Sequence, residues 1–407
     1  MNNLHRKKGS VTIFVCIFFV TLLTMILTFA KAAEKTAVNS SAQALSGLWT
    51  ESILAEYDLN LQKRYNVFGF YGYPADVAKK IDFYAGESFD DKGYADYQGS
   101  RCSLYDFSLI NPEVLKPQIE KAGLLAFTEK FREPEKDVVR VGGSFAAEGQ
   151  IFQDLPSAGS DKSFSVSTVT SLLTEGKTPG HVLQKGSGIY GQIQYIFAYF
   201  KDQSDERNLG ATYLQNEIEY VLFGKQSDRR NSAKIRNRII AVREVMNFIY
   251  LQKDPTKSSA AMAAAELLTP GPAAIVTQKA ILSAWALAES VNDYKLLISG
   301  YHVLPMKTSD SWATDLDSVL ANQEEDCIFT GIDQGQDYQD YLKLFLYAMD
   351  ERIRILRIMD LIQINMKYLY YDQFLLREYN GGLRLVITVN GEEHETERTY
   401  EKRQLSG

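Results

Sequence analysis

The pattern of apolar and polar positions begins with an uncharged apolar run from Val11 to Ala30. At a rise of 1.5 Å per residue, about twenty residues form a helix about 30 Å long, which matches the hydrocarbon core of a bilayer. The run contains four threonines, and a threonine hydroxyl can donate to a carbonyl of its own helix, which makes it tolerable in lipid. The pattern predicts one membrane-spanning helix over residues 10–31.

The charges that flank this run predict its orientation. Arg6, Lys7 and Lys8 precede it, whereas Lys31 and Lys35 on the far side are offset by Glu34. The positive-inside rule therefore places residues 1–9 in the cytoplasm and the body of the chain outside the cell. The expected localisation is the cell membrane, with a single pass and an extracellular body.

Helix-forming residues continue beyond the run. Residues 31–65 contain no proline and a single glycine, and apolar residues such as Leu45, Leu48, Trp49 and Leu59 recur at helical spacings. Residues spaced in this way share one side of a helix, where they can pack on a globular body. We expect a helical stalk over residues 32–65.

The remaining pattern predicts an α+β body in three regions. Residues 66–190 form a mixed α/β region, with short strands and turns over 66–112 and a strand in SFSVSTVTSLL (163–173). Residues 191–370 show helical periodicity and end in one long helix from Tyr338. Residues 371–407 form a C-terminal β-hairpin and tail, because Asn390–Gly391 suits a type I′ turn between two alternating strands.

Composition excludes a disordered chain and a nucleic-acid binder. Hydrophobic residues make up 45% of the chain and charged residues 23%, which is typical of a globular protein. The chain has 44 basic and 51 acidic side chains, and three of the basic ones lie within the first ten residues. The body is therefore acidic, and we expect no nucleic-acid partner.

The cysteines leave two alternatives open. Cys16 lies in the apolar run, whereas Cys102 and Cys327 lie far apart in the body. Outside the cell these two could form one disulfide, but no spacing pattern supports it, and two isolated thiols are the simpler interpretation.

Two glycine-containing motifs superficially suggest nucleotide binding. Gly186, Gly188 and Gly191 spell G-x-G-x-x-G, but a dinucleotide site also needs a preceding strand and a βαβ unit, which the surrounding sequence does not predict. FGKQS (223–227) lacks the Ser or Thr that follows the lysine of a phosphate-binding loop. A flexible helix entry and a helix end at Gly224 explain these motifs.

No spacing of chemically active residues indicates catalysis or metal binding. The four histidines are scattered, and the acidic stretch DQGQD (333–337) lacks the full calcium-loop pattern, so that Asp337 more simply caps the following helix. The sequence therefore predicts no enzyme activity, no cofactor and no metal.

Several long stretches together resemble a known group of proteins. They are KGSVTIFVCIFFVTLLTMILTFAKAAEKTA (8–37), SILAEYDLNLQKRYNVFGF (52–70), EYVLFGKQSDRRN (219–231), RIIAVREVMNFIYLQKD (238–254), AILSAWALAESVNDYKLLISGYHVLPMKTSDSW (280–312) and DYLKLFLYAMDERIRILRIMDLIQINM (340–366). The chain resembles a Gram-positive bacterial, membrane-anchored family encoded near tight-adherence (Tad) pilus genes and akin to TadE/TadG-like pseudopilins. The resemblance implies a structural or accessory component of a Tad-type pilus or surface secretion apparatus, with other Tad subunits as partners.

Three fates stay open for the N-terminal run, and the resemblance raises the first of them. Prepilin-type processing would cut between Gly9 and Ser10, although Phe14 stands where a type IV prepilin has a glutamate. A signal peptidase would cut after the A-x-A pattern at Ala30–Ala32, although the run is long for a signal peptide. An uncleaved run would remain a plain anchor.

Two other functions stay open at this point. The protein could be an anchored extracellular binding module or adhesin that works alone. It could also be an ectoenzyme acting on the cell wall, since a pair of catalytic carboxylates is defined by spatial separation, which spacing along the chain does not give.

Overall fold

The computed structural model describes residues 7–89, 95–128, 148–158, 165–184, 187–204, 207, 209–322 and 326–403. In chain order the described helices are α1 (Lys7–Leu54), α2 (Leu59–Tyr65), α3 (Pro74–Phe89), α4 (Pro112–Thr128), α5 (Glu148–Ile151), α6 (Val166–Thr174), α7 (Pro179–Val182), α8 (Gly188–Tyr199), α9 (Glu217–Phe223), α10 (Asp228–Lys253), α11 (Pro255–Leu268), α12 (Ala274–Ile298), α13 (Leu316–Leu320), α14 (Tyr338–Tyr347), α15 (Glu351–Leu369) and α16 (Tyr400–Arg403). The described strands are β1 (Phe70–Tyr71), β2 (Tyr97–Ser103), β3 (Tyr379–Asn380), β4 (Gly382–Val389) and β5 (Glu392–Thr399). The predicted α+β class, with a long N-terminal helix and a mostly helical body, is confirmed.

The chain forms two compact units, each assembled from separate segments. The anchor unit comprises Met1–Asp58, Phe68–Leu109 and Arg377–Gly407, and the helical unit comprises Leu59–Val67 and Ile110–Leu376. The anchor unit therefore draws on the start, an early part and the end of the chain.

Helix α1 has two halves with different surroundings. Among the described residues it is the one helix long and apolar enough to cross a membrane, and its most apolar stretch is not buried at all by protein. Its second half instead buries a stripe of residues at helical spacing: Val38, Ala42, Ser46, Trp49 and Ile53. Leu48, which the spacing placed on this face, is 61% exposed.

An antiparallel sheet packs on that buried stripe. Its strand order is β2–β4–β5, and the β4–β5 hairpin turns at Asn390 (φ 50°) and Gly391 (φ 76°), which confirms the predicted hairpin and its left-handed turn residues. Alternate residues of β4 are buried in a core shared with α1 and α3: Leu383, Leu385, Ile387 and Val389. The period of two along a strand explains how one face of the sheet becomes apolar.

Two groups of closely packed helices lie in the helical unit. Helices α10, α11 and α12 pack together around a core that contains Trp285 and Trp312. Helices α4 and α8 approach so closely that a Cβ on Gly123 would lie 1.8 Å from the Gly191 carbonyl oxygen. Gly123 and Gly191 therefore permit a contact between the backbones of two helices that no larger residue allows.

Four local predictions are wrong. Helix α1 ends at Leu54 rather than near Tyr65, and the following residues turn so that the Tyr57 ring packs on Phe68 at 5.2 Å. Within 66–112, where short strands and turns are predicted, β1 and β2 do form, but the residues between them form the 16-residue helix α3. Helix α6 replaces the strand predicted in SFSVSTVTSLL. The long helix predicted from Tyr338 is broken into α14 and α15, where Asp350 starts a new helix by accepting the Ile353 N–H. Packing and capping override weak local propensity in these places.

A substitution at Trp49 tests how α1 packs on the rest of the anchor unit. The Trp49 side chain is 4% exposed and meets the Phe89 ring edge-on at 6.0 Å. We expect Trp49→Ala to lower the free energy of unfolding by about 3–5 kcal/mol, because it leaves a cavity in the core. Urea unfolding of the full chain in detergent micelles, followed by circular dichroism, measures this. Leu48→Ala, one residue away on the exposed face, is the matched control, and equal effects of the two variants would contradict the packing described.

Candidate functional site

The exposed half of α1 forms a surface suited to lipid. Its aliphatic and aromatic side chains point outward, with Phe14 71% exposed. The threonine hydroxyls are satisfied within the helix as predicted: Thr21 donates to the Phe18 carbonyl at 2.8 Å, and Thr24 to the Thr21 carbonyl at 2.8 Å. No charged side chain interrupts this surface between Val11 and Ala30.

Past the apolar surface, α1 meets the turn of the β4–β5 hairpin. Lys35 Nζ lies 2.5 Å from Glu392 Oε1, and Asn39 Nδ2 donates to Glu392 Oε2 at 2.8 Å. The hydrogen bonds from Lys35 and Asn39 lower the pKa of the Glu392 carboxyl. A cleft of about 290 Å³ lies here, lined among others by Lys31, Glu34 and Asn390.

Beyond this cleft, polar contacts continue between the second half of α1 and the chain from β5 onward. We call this row of contacts the polar seam. The Ser46 and Thr396 hydroxyls form a buried hydrogen bond of 2.7 Å, and the Tyr400 hydroxyl donates to the Leu54 carbonyl at 2.6 Å. The last contact satisfies a carbonyl at the C-terminal end of α1, which the helix itself leaves unpaired. Strand β5 and Tyr400, the first residue of α16, therefore follow α1 from Lys35 to the end of the helix.

The contacts of these seam residues were not predicted from the sequence. Asn39, Gln43 and Ser46 recur at spacings of four and three, as the members of one helix face do. A polar stripe beside an apolar one was the available signal, but its partners on β5 lie about 350 residues away in the chain.

The residues predicted for N-terminal processing lie in the first turns of α1. Gly9 and Ser10 are helical, and Phe14 follows them on the exposed surface of the same helix. Cleavage between Gly9 and Ser10 stays a prediction.

The two body cysteines lie in different units. Cys102 is on β2 of the anchor unit, and burial raises the pKa of its thiol to about 12. Cys327 lies in a loop of the helical unit and is exposed, and both are free thiols in the structure. A disulfide between them stays a prediction.

The glycine motif is explained by helix packing. Gly188 and Gly191 lie on α8, and a Cβ on Gly191 would come within 2.6 Å of the Glu120 carbonyl oxygen on α4. Gly186 lies outside the described residues. Gly224 ends α9 with φ 61°, and Asp337 caps α14 by accepting the Asp340 N–H at 2.7 Å, both as predicted.

The model of one protein family matches residues 151–391, more than half of the chain, and its description is "Family of unknown function (DUF5702)". The chain belongs to this family. No curated protein and no solved structure matches it. The DUF5702 region contains most of the helical unit and reaches the turn of the β4–β5 hairpin, whereas α1, α3, β2 and β5 lie outside it.

Within the DUF5702 region, four charged side chains form one buried network. Arg243 Nε contacts Asp293 Oδ2 at 2.9 Å, and Lys307 Nζ lies 2.7 Å from Asp293 Oδ1 and 2.6 Å from Glu289 Oε1. Glu289 also accepts the backbone N–H groups of Ala313 and Thr314. Burial raises the pKa of Asp293, but the charges of Arg243 and Lys307 outweigh it and hold that pKa below its usual range.

This network fastens a loop to the helices of the region. Arg243 donates to the carbonyls of Leu304 and Pro305 at 2.9 and 3.0 Å, and the indole N–H groups of Trp285 and Trp312 both donate to the Thr314 carbonyl. The chain after α12 is thereby held against α10 and α12 at several points. These buried charged side chains stabilise the position of the loop in the core of the region.

A second set of buried carboxyls lies on α9 or in contact with it. Glu217 accepts the Lys201 N–H at 3.1 Å, and Glu219 accepts the Gln203 N–H at 3.0 Å and the Tyr338 hydroxyl at 2.6 Å. Burial raises the pKa of both carboxyls to about 7. Asp360 accepts the Tyr220 hydroxyl at 2.9 Å, and burial raises its pKa to about 6.

Within the ranges that the structure describes, no three His, Cys, Asp or Glu side chains converge as metal ligands would. The DUF5702 region does present an apolar tip where α11 meets α12. Leu267 is 86% and Val276 72% exposed, and Leu268 and Ile275 lie beside them. Exposed apolar patches of this kind often mark interaction sites.

Proposed function

We propose that the protein is a membrane-anchored, non-catalytic structural component of a cell-surface assembly, pseudopilin-like or accessory to a Tad-type apparatus. The observation that carries this proposal is the continuity of α1 from Lys7 to Leu54, with a lipid-compatible surface at one end and a packed antiparallel sheet at the other. A long N-terminal helix, embedded in lipid at one end and packed at the other, is the plan of a pilin-like subunit.

The stiffness of this arrangement supports a structural role. A 48-residue helix is about 70 Å long and contains no proline. The buried stripe and the seam to β5 bind its second half to the sheet, so a displacement of the sheet moves the membrane-embedded end with it. An enzyme that only needed tethering would be served equally well by a flexible linker.

The identity of residue 14, a phenylalanine, determines which contacts could join neighbouring subunits in the proposed assembly. Pilins use a glutamate near the mature N-terminus to pair with a neighbouring subunit, and this chain presents an exposed phenylalanine there. Lateral contacts in the membrane would then rest on packing of apolar side chains, as they do between other membrane helices.

Membrane fractionation with externally added protease tests the anchoring and orientation. In intact cells the body is expected to be degraded, while a fragment containing residues 10–31 stays in the membrane fraction. Permeabilised cells serve as the control for the activity of the protease. A protected body, or a soluble cytosolic protein, would exclude the proposal.

Photo-crosslinking in cells tests the assembly. A photoreactive amino acid in place of Phe14 is expected to capture pilus-type subunits, and one in place of Tyr105, 90% exposed in the anchor unit, reports random collisions. Equal adducts at both positions would count against specific packing along α1. Mass spectrometry of the mature N-terminus separates the three fates: Met1 indicates a plain anchor, Ser10 prepilin-type processing, and a start near Ala33 a secreted body.

The apolar tip favours a second candidate function, an anchored extracellular binding module that works alone. A protein partner with an apolar groove would cover Leu267, Leu268, Ile275 and Val276. A photoreactive residue at Val276 distinguishes the two candidates. Capture of a pilus-type subunit supports the assembly component, and capture of an extracellular protein outside that apparatus supports the binding module.

A further inference from the structure

The height of the hairpin turn above the membrane follows from the geometry of α1. The helix is continuous through Ala30, the last residue of the apolar run, and Lys35. At 1.5 Å per residue, Lys31 lies about 2 Å and Lys35 about 8 Å beyond the hydrocarbon edge. The headgroup layer on each side of a bilayer is about 5–8 Å thick. Residues 31–35 therefore occupy the level of the lipid headgroups.

The direction of β5 places the hairpin turn at this same level. Glu392 contacts Lys35 and Asn39, Thr396 contacts Ser46, and Tyr400 contacts the end of the helix at Leu54. Strand β5 thus runs parallel to α1, away from the membrane. The turn that precedes it is the end of the sheet nearest the bilayer, and Asn390 shares a cleft with Lys31.

Two charges in this cleft have no partner among the described residues. Lys35 is paired with Glu392, but no described residue pairs with Lys31 or with Glu34. These two are three positions apart on α1 and so share one side of the helix. They present an ammonium and a carboxylate next to each other at headgroup height.

We infer that the cleft between α1 and the β4–β5 turn binds the headgroup of an outer-leaflet phospholipid that carries an ammonium group. Lys31 meets the lipid phosphate, and Glu34 meets the lipid ammonium. The carboxylate of Glu392, which also lines the cleft, disfavours a headgroup with only negative charge. This inference rests on the membrane anchoring in the proposed function, and it adds a lipid headgroup as the partner of the β4–β5 turn.

Spin labels test the position of the turn. In a cysteine-free variant reconstituted into nanodiscs, a label at Glu393→Cys is compared with one at Glu401→Cys. Both side chains are exposed, but the second lies near the Leu54 end of α1, about 36 Å above Ala30. A nickel chelate tethered to lipid headgroups is expected to relax the first label several-fold more than the second. Equal relaxation of both labels would overturn the inference.

Lipid retention tests the chemistry of the cleft. Nanodiscs containing equal parts phosphatidylethanolamine and phosphatidylglycerol are analysed by native mass spectrometry. The wild-type chain is expected to retain phosphatidylethanolamine, and a Lys31→Ala/Glu34→Ala variant about tenfold less, because charge-assisted hydrogen bonds are lost. Thr36→Ala, exposed on another side of the helix, is the matched control.

The outcomes separate this inference from the proposed function. Equal retention by wild type and the double variant, or a preference for phosphatidylglycerol, would overturn the inference and leave the anchored assembly component standing, since nanodiscs contain no pilus machinery. Absence of the protein from the cell membrane fraction would remove the proposed function itself.

Discussion

Replacing Arg243 by methionine is expected to lower the free energy of unfolding of the helical unit by about 3–5 kcal/mol, the usual cost of removing one partner from a buried ion pair. Arg243 and Asp293 are both fully buried, and their side chains are 2.9 Å apart. Among the described residues, the substitution leaves Asp293 with Lys307 as its one remaining cation, and it removes the donors to the Leu304 and Pro305 carbonyls. Denaturant unfolding of the full chain in micelles, with hydrogen exchange of α10 and α12, assigns the loss to this unit.

Two matched variants sharpen this test. Lys177→Met removes one member of an exposed pair, Lys177–Glu175 at 2.7 Å, and is expected to leave the free energy of unfolding almost unchanged, because exposed ion pairs contribute little. Arg243→Lys keeps the charge but lacks the planar fork that reaches Asp293, Asn247 and two carbonyls together, so it should fall between the other two. If Arg243→Met is as mild as Lys177→Met, the network does not fasten the loop.

Raising the pH from 5 to 8 is expected to destabilise the helical unit. Burial raises the pKa of Glu217 and Glu219 to about 7 and that of Asp360 to about 6. Between the ordinary pKa of a carboxyl in the unfolded chain and these values, the folded state binds more protons, so the free energy of unfolding falls as pH rises. Each carboxyl contributes up to about 3 kcal/mol. Asp293 has a lowered pKa, so its contribution to the free energy of unfolding changes at a pH below this range.

Single substitutions show which carboxyl causes this pH dependence of stability. Glu219→Gln cannot ionise and should flatten the fall in denaturation midpoint between pH 5 and pH 8, since Oε1 can still accept from Gln203 and Tyr338. Within the described part of the chain, Oε2 of Glu219 has no hydrogen-bond partner, so the amide nitrogen displaces no existing contact. Glu266→Gln on α11 is the control, because that carboxylate lies in water in the folded and the unfolded chain. An unchanged slope in Glu219→Gln would exclude Glu219 as a source.

Elements with strong local signals could be predicted from the sequence. The uncharged run produced the exposed half of α1, Asn390–Gly391 produced the hairpin turn, and Asp337 produced the cap of α14. In each case the information lies within a few residues of the feature it specifies.

Features that depend on distant partners could not be predicted. Strand β2 pairs with β4, with Tyr97 opposite Val389, so nothing near Tyr97 identifies its neighbour. Arg243 and Glu289 look like ordinary surface charges on amphipathic helices until the loop that contains Lys307 covers them. The cleft beside the hairpin turn likewise needs Lys31 and Asn390 together, and these lie far apart in the chain.

The division of the anchor unit among three chain segments dictates an order of folding. Helix α1 precedes its partner strands β4 and β5 in the chain, and the main segment of the helical unit, Ile110–Leu376, lies between them. This segment is translated before β4, so it can fold first as a domain of its own. The buried stripe of α1 stays uncovered until β4 and β5 have been translated. The sheet that covers α1 therefore closes after the helical unit has folded.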